Sequence, residues 1–211
     1  MPHVVLLGDS IFDNAAYVAG GPDVVTQLRA ALPDDWSATL CAVDGAVIAD
    51  VERQLGCVPR DATHLVVSVG GNDALSHADI LNRSARSAAE VLGQLANAGQ
   101  AFEQRYRRMV ATVRERRQPT IVCTIYNGNF PDRVTQRLAS TGLSVFNDAI
   151  LRVAIATRTS VIDLRLVCDQ PADYANPIEP SVRGGAKIAR AVARAVTAQR
   201  ADCERTEVFA L

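Results

Sequence analysis

The feature of this sequence that most limits its fold is a repeated change of period. Short apolar runs with little alternation give way to stretches whose apolar residues recur every three or four positions. The runs are HVVLLG (3–8), ATLCAV (38–43), HLVVSVG (64–70), TIVCTIY (120–126) and SVIDLRLV (160–167). Unbroken Val, Ile and Leu suit strands covered on both faces. Between them, PDVVTQLRAAL opens with a proline and sets Val24, Val25, Leu28 and Leu32 on one helical face. Ile48, Val51 and Leu55 repeat similarly, as do Phe102, Met109, Val110 and Val113, and later Ile188, Val192 and Val196. Strand and helix alternating in this way require right-handed crossovers. The pattern predicts an α/β/α three-layer fold with a five-stranded parallel sheet, as a single domain over residues 1–211. A chain that is 48% hydrophobic has the apolar material for such a core.

A formal charge of -1 and a pI near 6.3 argue against nucleic acid or an anionic membrane as partner. The arginines between Arg105 and Arg117 alternate with apolar positions and read as the wet face of a helix. The start, MPHVVLLGDS, lacks the basic and apolar regions of a secretory leader, and no run approaches the length of a membrane span. Cys41, Cys57, Cys123, Cys168 and Cys203 are scattered without a C-x-x-C pair, which favours reduced thiols and a cytoplasmic protein over disulfides or zinc.

In a parallel sheet the ligand crevice lies beyond the carboxyl ends of the strands. GDSIFDN follows the first run, and Ser10 falls where a helix would begin, either as a nucleophile beside backbone donors or as an N-cap. After the second run, Gly45 offers a backbone N–H with no side chain in the way, or a plain turn. After the third, GGND brings Asn72, an amide donor or an Asx-turn. Together they put a hydroxyl, a backbone donor and an amide at one crevice, the layout of acyl transfer. Tyr126, Asn127 and Phe130 follow the fourth run and are candidates to line the substrate crevice, whereas DRVTQRLAS carries no evident chemistry. Asp9, Asp13 and Asp73 read as loop hydrogen-bonders, and Asp163 as a buried one.

GDSIFDN, Gly45, GGND and IEPSVRGGAKIA, in that order across nearly the whole chain, resemble the SGNH or GDSL hydrolase family. The resemblance implies a flavodoxin-like sheet of order 2-1-3-4-5 and serine-dependent hydrolysis of esters or acyl groups. It also implies Ser10 as nucleophile, an oxyanion hole from the N–H groups of Ser10 and Gly45 with Asn72, and no metal or organic cofactor.

The last block departs from the family pattern D-x-x-H. Its positions read Asn176-Pro177-Ile178-Glu179, so histidine has become glutamate and aspartate has become asparagine. Of the three histidines, His3 and His64 open strands at the far edge of the sheet, and only His77 is on the crevice side. A glutamate base starts anionic, so a neighbouring aspartate would repel it, and Asn176 is expected to hold its carboxylate without adding charge. Partial burial can raise a carboxyl pKa from roughly 4.3 toward neutrality, and the pH limb of activity is expected below the histidine range. Three readings stay open: a hydrolase of a small-molecule ester or small acyl group with Glu179 as base; a pseudoenzyme that binds an acyl or carboxylate ligand; and an acyltransferase using His77 or another base. Oligomeric state is open, and the apolar end of ADCERTEVFAL can pack on its own domain or on a neighbour.

Overall fold

The computed structural model describes residues 1–199 and 205–210. Its strands are β1 (His3–Gly8), β2 (Ser37–Leu40), β3 (His64–Ser68), β4 (Thr120–Cys123), β5 (Ser160–Ile162) and β6 (Val208–Phe209). They form one sheet of order β2-β1-β3-β4-β5-β6, with every neighbouring pair parallel. The implied order 2-1-3-4-5 holds, but the sheet has six strands rather than five. β6 comes from the apolar end of the chain and packs on its own sheet. Its Glu207 and Phe209 carbonyls accept from the N–H groups of Val161 (2.8 Å) and Asp163 (2.9 Å). A two-residue strand is too short to carry a periodic signal.

α1 (Val24–Ala31), α6 (Leu164–Val167) and α7 (Val182–Ala198) cover one face of the sheet, and α2 (Val51–Gln54), α4 (Ala88–Arg114) and α5 (Arg133–Thr157) the other. The unalternating strands are explained by this double cover. In β1, Val4 and Leu6 pack with Val24 and Ile188, while Val5 and Leu7 pack on the opposite side with Phe102 and Ile150. α3 (Gly71–Leu75) follows β3 at the carboxyl edge.

The fifth run is not one strand. β5 stops at Ile162 because Asp163 caps α6, accepting from Arg165 N (3.2 Å) and from the Thr124 hydroxyl (2.8 Å). α5 is long and apolar enough to cross a membrane by length and composition alone, without an unbroken apolar run, and Phe146, Ile150 and Val153 on it are core residues. Among the described residues Cys41, Cys57, Cys123 and Cys168 are free thiols, and Cys203 lies outside them. His3 and His64 sit at the amino edge of the sheet as expected, bonded to Thr39 and Thr63 respectively (2.8 Å each).

α4 and α5, of 27 and 25 residues, are each close to ~40 Å long, about twice the length of the six-residue β1. Both begin on the carboxyl side of the sheet and overshoot it there. They touch closely at Gly99, where a Cβ would lie 2.4 Å from Val145 Cγ1.

Candidate active site

Beyond the carboxyl ends of β1 and β3 the chain turns sharply at Gly8, whose φ is +124° and whose added Cβ would fall 1.7 Å from the Ser68 carbonyl oxygen. Only glycine fits there. Ser10 follows in a turn rather than at a helix start. The Asp9 carbonyl accepts from Phe12 and Asp13 N–H (3.1 Å each), and Asn14 then carries the chain to α1 by accepting from Val24 N (2.9 Å). Only that turn and the three-residue 3-10 turn Ala15–Tyr17 follow, too short to supply Ser10 with a helix dipole.

The Ser10 hydroxyl donates to Glu179 Oε1 at 3.2 Å, between two side chains that are 7% and 6% exposed. Burial pushes the Glu179 carboxyl up to about 7, with the Asp44 charge adding to it and the Ser10 bond opposing it. That carboxyl therefore lies within the histidine range rather than below it. Glu179 Oε2 is buried with no hydrogen-bond partner.

Asn176 does not hold the carboxylate. Its Oδ1 accepts from the backbone N–H groups of Ile178 and Glu179 (3.0 Å each), because a short Asx-type turn brings those donors nearer than the side chain. Asn176 thus fixes the loop that presents Glu179. The same loop is tied by Ala175 N to the Glu179 carbonyl (2.9 Å), Tyr126 Oη to the Ile178 carbonyl (2.6 Å), Asn129 N to the Pro177 carbonyl (2.8 Å) and Asn14 Nδ2 to the Pro180 carbonyl (3.3 Å). Behind it, fully buried Asp173 pairs with Lys187 Nζ at 2.6 Å.

Gly45, with φ +77°, lies in the loop after β2. Asn72, in the first turn of α3, donates from Nδ2 to the Ala46 carbonyl at 2.9 Å, which ties the second and third loops together. That nitrogen keeps a second hydrogen, and no hydrogen bond from the N–H of Ser10 or Gly45 is found among the described residues. Asp73 braces the neighbouring loop rather than its own, accepting from Ile48 N (2.9 Å). Asp13 does likewise for Asp44 N (2.9 Å).

Ser10, Asn72 and Glu179 open on a cavity of about 340 Å³. Ser10, Asn72, Glu179, Tyr126, Asn127 and Phe130 all line it; Gly45 does not. His77 also lines it, half-buried and stacked on Phe146 with ring centroids 6.0 Å apart, without a hydrogen bond to Ser10. The structure therefore does not bring the alternative base to the serine. Among the described residues no three His, Cys, Asp or Glu side chains converge as a metal would require.

Two features leave no signal of their role in the sequence. Asp9, beside Ser10, is 3% exposed and lines the cavity, and burial pushes its carboxyl up to about 8, helped by the charges of Glu179 and Asp73. Leu138, Gly142 and Phe146 of α5 form a cavity wall out of the stretch DRVTQRLAS and its continuation, which had no evident role. Their helical spacing was visible; that α5 reaches past the sheet was not.

The model of the GDSL-like lipase/acylhydrolase family matches residues 6–187. No curated protein matches by sequence. Among solved structures, an extracellular lipase from Streptomyces rimosus superposes with TM-score 0.62 at 17% identity, over 89% of this chain and 96% of that one. A phospholipase A1 from Streptomyces albidoflavus NA297 gives 0.64 at 16%, over 94% and 99%. A carbohydrate acetylesterase from Sinorhizobium meliloti gives 0.65 at 11%, over 94% and 99%.

Proposed function

This chain belongs to the GDSL-like lipase/acylhydrolase family, and from that premise we propose that it hydrolyses carboxylic esters with Ser10 as nucleophile and Glu179 as base. The observation that carries the reading is the hydrogen bond from Ser10 Oγ to a buried Glu179 carboxylate whose pKa is raised to about 7. A base poised near neutral pH combines a useful unprotonated fraction with proton affinity. The neighbours' names, which include a lipase, a phospholipase and an acetylesterase, support ester substrates.

Ser10 Oγ attacks the ester carbonyl carbon while its proton passes to Glu179 Oε1. The carbonyl oxygen becomes an oxyanion beside the N–H of Ser10 and the uncommitted Asn72 amide hydrogen, both of residues that line the cavity, which Gly45 does not. The intermediate collapses, the bond to the alcohol oxygen breaks, and Glu179 returns the proton to that oxygen. Water then attacks the acyl-serine, giving a proton to Glu179; the second intermediate expels Ser10, which takes that proton back, and the acid leaves.

Turnover of a short-chain aryl ester tests this. Ser10→Ala is expected to fall to background and Glu179→Gln by roughly 10²–10⁴-fold in kcat. Full activity in either variant overturns the assignment.

One observation favours a binding-only reading. Glu179 Oε2 has no partner, so no group behind the carboxylate does the orienting work that aspartate does for histidine. A fluorophosphonate probe separates the two. Labelling of Ser10 in wild type and its loss in Glu179→Gln supports an activated serine; no labelling of wild type supports a binding pocket.

A further inference from the structure

We propose that the cavity takes the acyl chain of a medium-chain ester, extended between the overshooting ends of α4 and α5, and that Gly142 sets the length it accepts. The proposal rests on the reading of Ser10 as nucleophile.

α5 runs antiparallel to the strands. Its residues before Phe146 therefore project past the carboxyl edge of the sheet. Leu138, Ala139, Gly142, Leu143 and Phe146 fall on one helical face and line the cavity, a strip ~12 Å long at ~1.5 Å per residue. Ile80 and Leu81, from the 3-10 turn Ala78–Asn82, and Leu95 of α4 supply further hydrocarbon lining. The helices are pinned at Gly99 and Val145, so the space opens only toward their amino ends. Leu81 and Leu138 are 37% and 46% exposed, leaving apolar surface at the rim that an acyl chain would cover.

The direction of the chain follows from the proton. Glu179 must return it to the alcohol oxygen, so the alcohol half lies beside Glu179 and Ile178. The acyl half then points away from them, past Asn72 and along α5. The α5 wall offers a sugar a single polar side chain, Thr135, the other polar groups of the outer cavity being His77, Asn82 and Asn127 on other segments.

Gly142 is the point of control. It lines the cavity midway between Leu138 and Phe146, and a Cβ there would meet nothing within 4 Å. A large side chain at this position has open space to enter, and glycine is not needed by the helix.

Aryl esters from acetyl to decanoyl, assayed below their micelle concentrations, test the proposal. kcat/KM is expected to rise roughly fourfold per methylene until the groove is filled. Gly142→Phe is expected to lower the decanoyl-to-acetyl ratio by at least on the order of tenfold. Gly93→Phe, on the exposed face of α4 outside the cavity, should leave the ratio unchanged. Ser10-dependent turnover that is best for acetyl and indifferent to Gly142→Phe overturns the inference and leaves the hydrolase reading standing. Length dependence that appears in alkyl acetates rather than in the acyl series also overturns it.

If no ester is turned over, the hydrolase reading fails and binding decides the inference. Methyl ketones with ethyl to decyl chains present the carbonyl without being hydrolysable. Calorimetry showing affinity that grows with chain length and is lost in Gly142→Phe sustains the groove; affinity independent of length sinks it.

Discussion

Ser10 and Glu179 differ from a serine–imidazole pair in the charge they begin with. In the proposed reaction Glu179 starts anionic and becomes neutral while the negative charge passes to the oxyanion, so no ion pair is created and the donors around that oxygen must hold the charge. With the Glu179 carboxyl raised to about 7, kcat/KM should climb with pH through about 7 and then level off. A pH–rate profile checks this, and a limb that disappears in His77→Ala would contradict it. Asn176 acts one step removed, by holding the Ile178 and Glu179 amides. Asn176→Ala is expected to lower kcat about tenfold, with KM little changed and a stability cost of ~1 kcal/mol. Asn176→Asp, which keeps the accepting oxygen, should restore the turn but add a charge near a carboxylate that must ionise. A pH limb shifted upward in that variant separates positioning from mere folding.

At the scale of elements, the site depends on which segments outrun the sheet. Loops after β1 and β3 bring the hydroxyl and the amide to the cavity, and the Asn72–Ala46 bond ties the β2 loop, with Gly45 outside the lining, to the β3 loop. α4 and α5 add the wall, and their contact at Gly99 fixes how far they part above it. Gly99→Ala places a methyl 2.4 Å from a β-branched neighbour that cannot swing aside. A destabilisation of about 1–3 kcal/mol in urea is expected, together with an altered acyl-length profile. The strands and the apolar stripe of α4 were legible because their periods differ and the stripe is long; the apolar face of α5 was not read. β6 and the early end of β5 were not, since a two-residue pairing and one capping aspartate leave no periodic trace.

For the molecule as a whole, the buried carboxyls make stability depend on pH in an uncommon direction. Asp9 and Glu179 hold their protons more tightly folded than unfolded. Between the ordinary carboxylate range and about pH 7–8 the native state therefore binds more protons, and their contribution to stability falls as pH rises. Below that window the penalty is absent. Glu179→Gln should thus stabilise the protein at pH 8 by up to roughly 3 kcal/mol and change little at pH 4. Thermal or urea unfolding at the two pH values measures it, and equal effects at both would refute the linkage. The parallel sheet, its two helical layers and the order of the candidate blocks can be read along the chain, because apolar period and turn chemistry are local properties. The sequence also marks Glu179 as the residue standing where the family carries histidine. It takes the folded arrangement to bring Glu179 to Ser10, to set Asn176 on backbone rather than carboxylate, to stack His77 away on Phe146, and to make α5 a wall of the cavity. Those outcomes depend on burial and on distances between segments far apart in the chain, and neither is written in any local stretch of it.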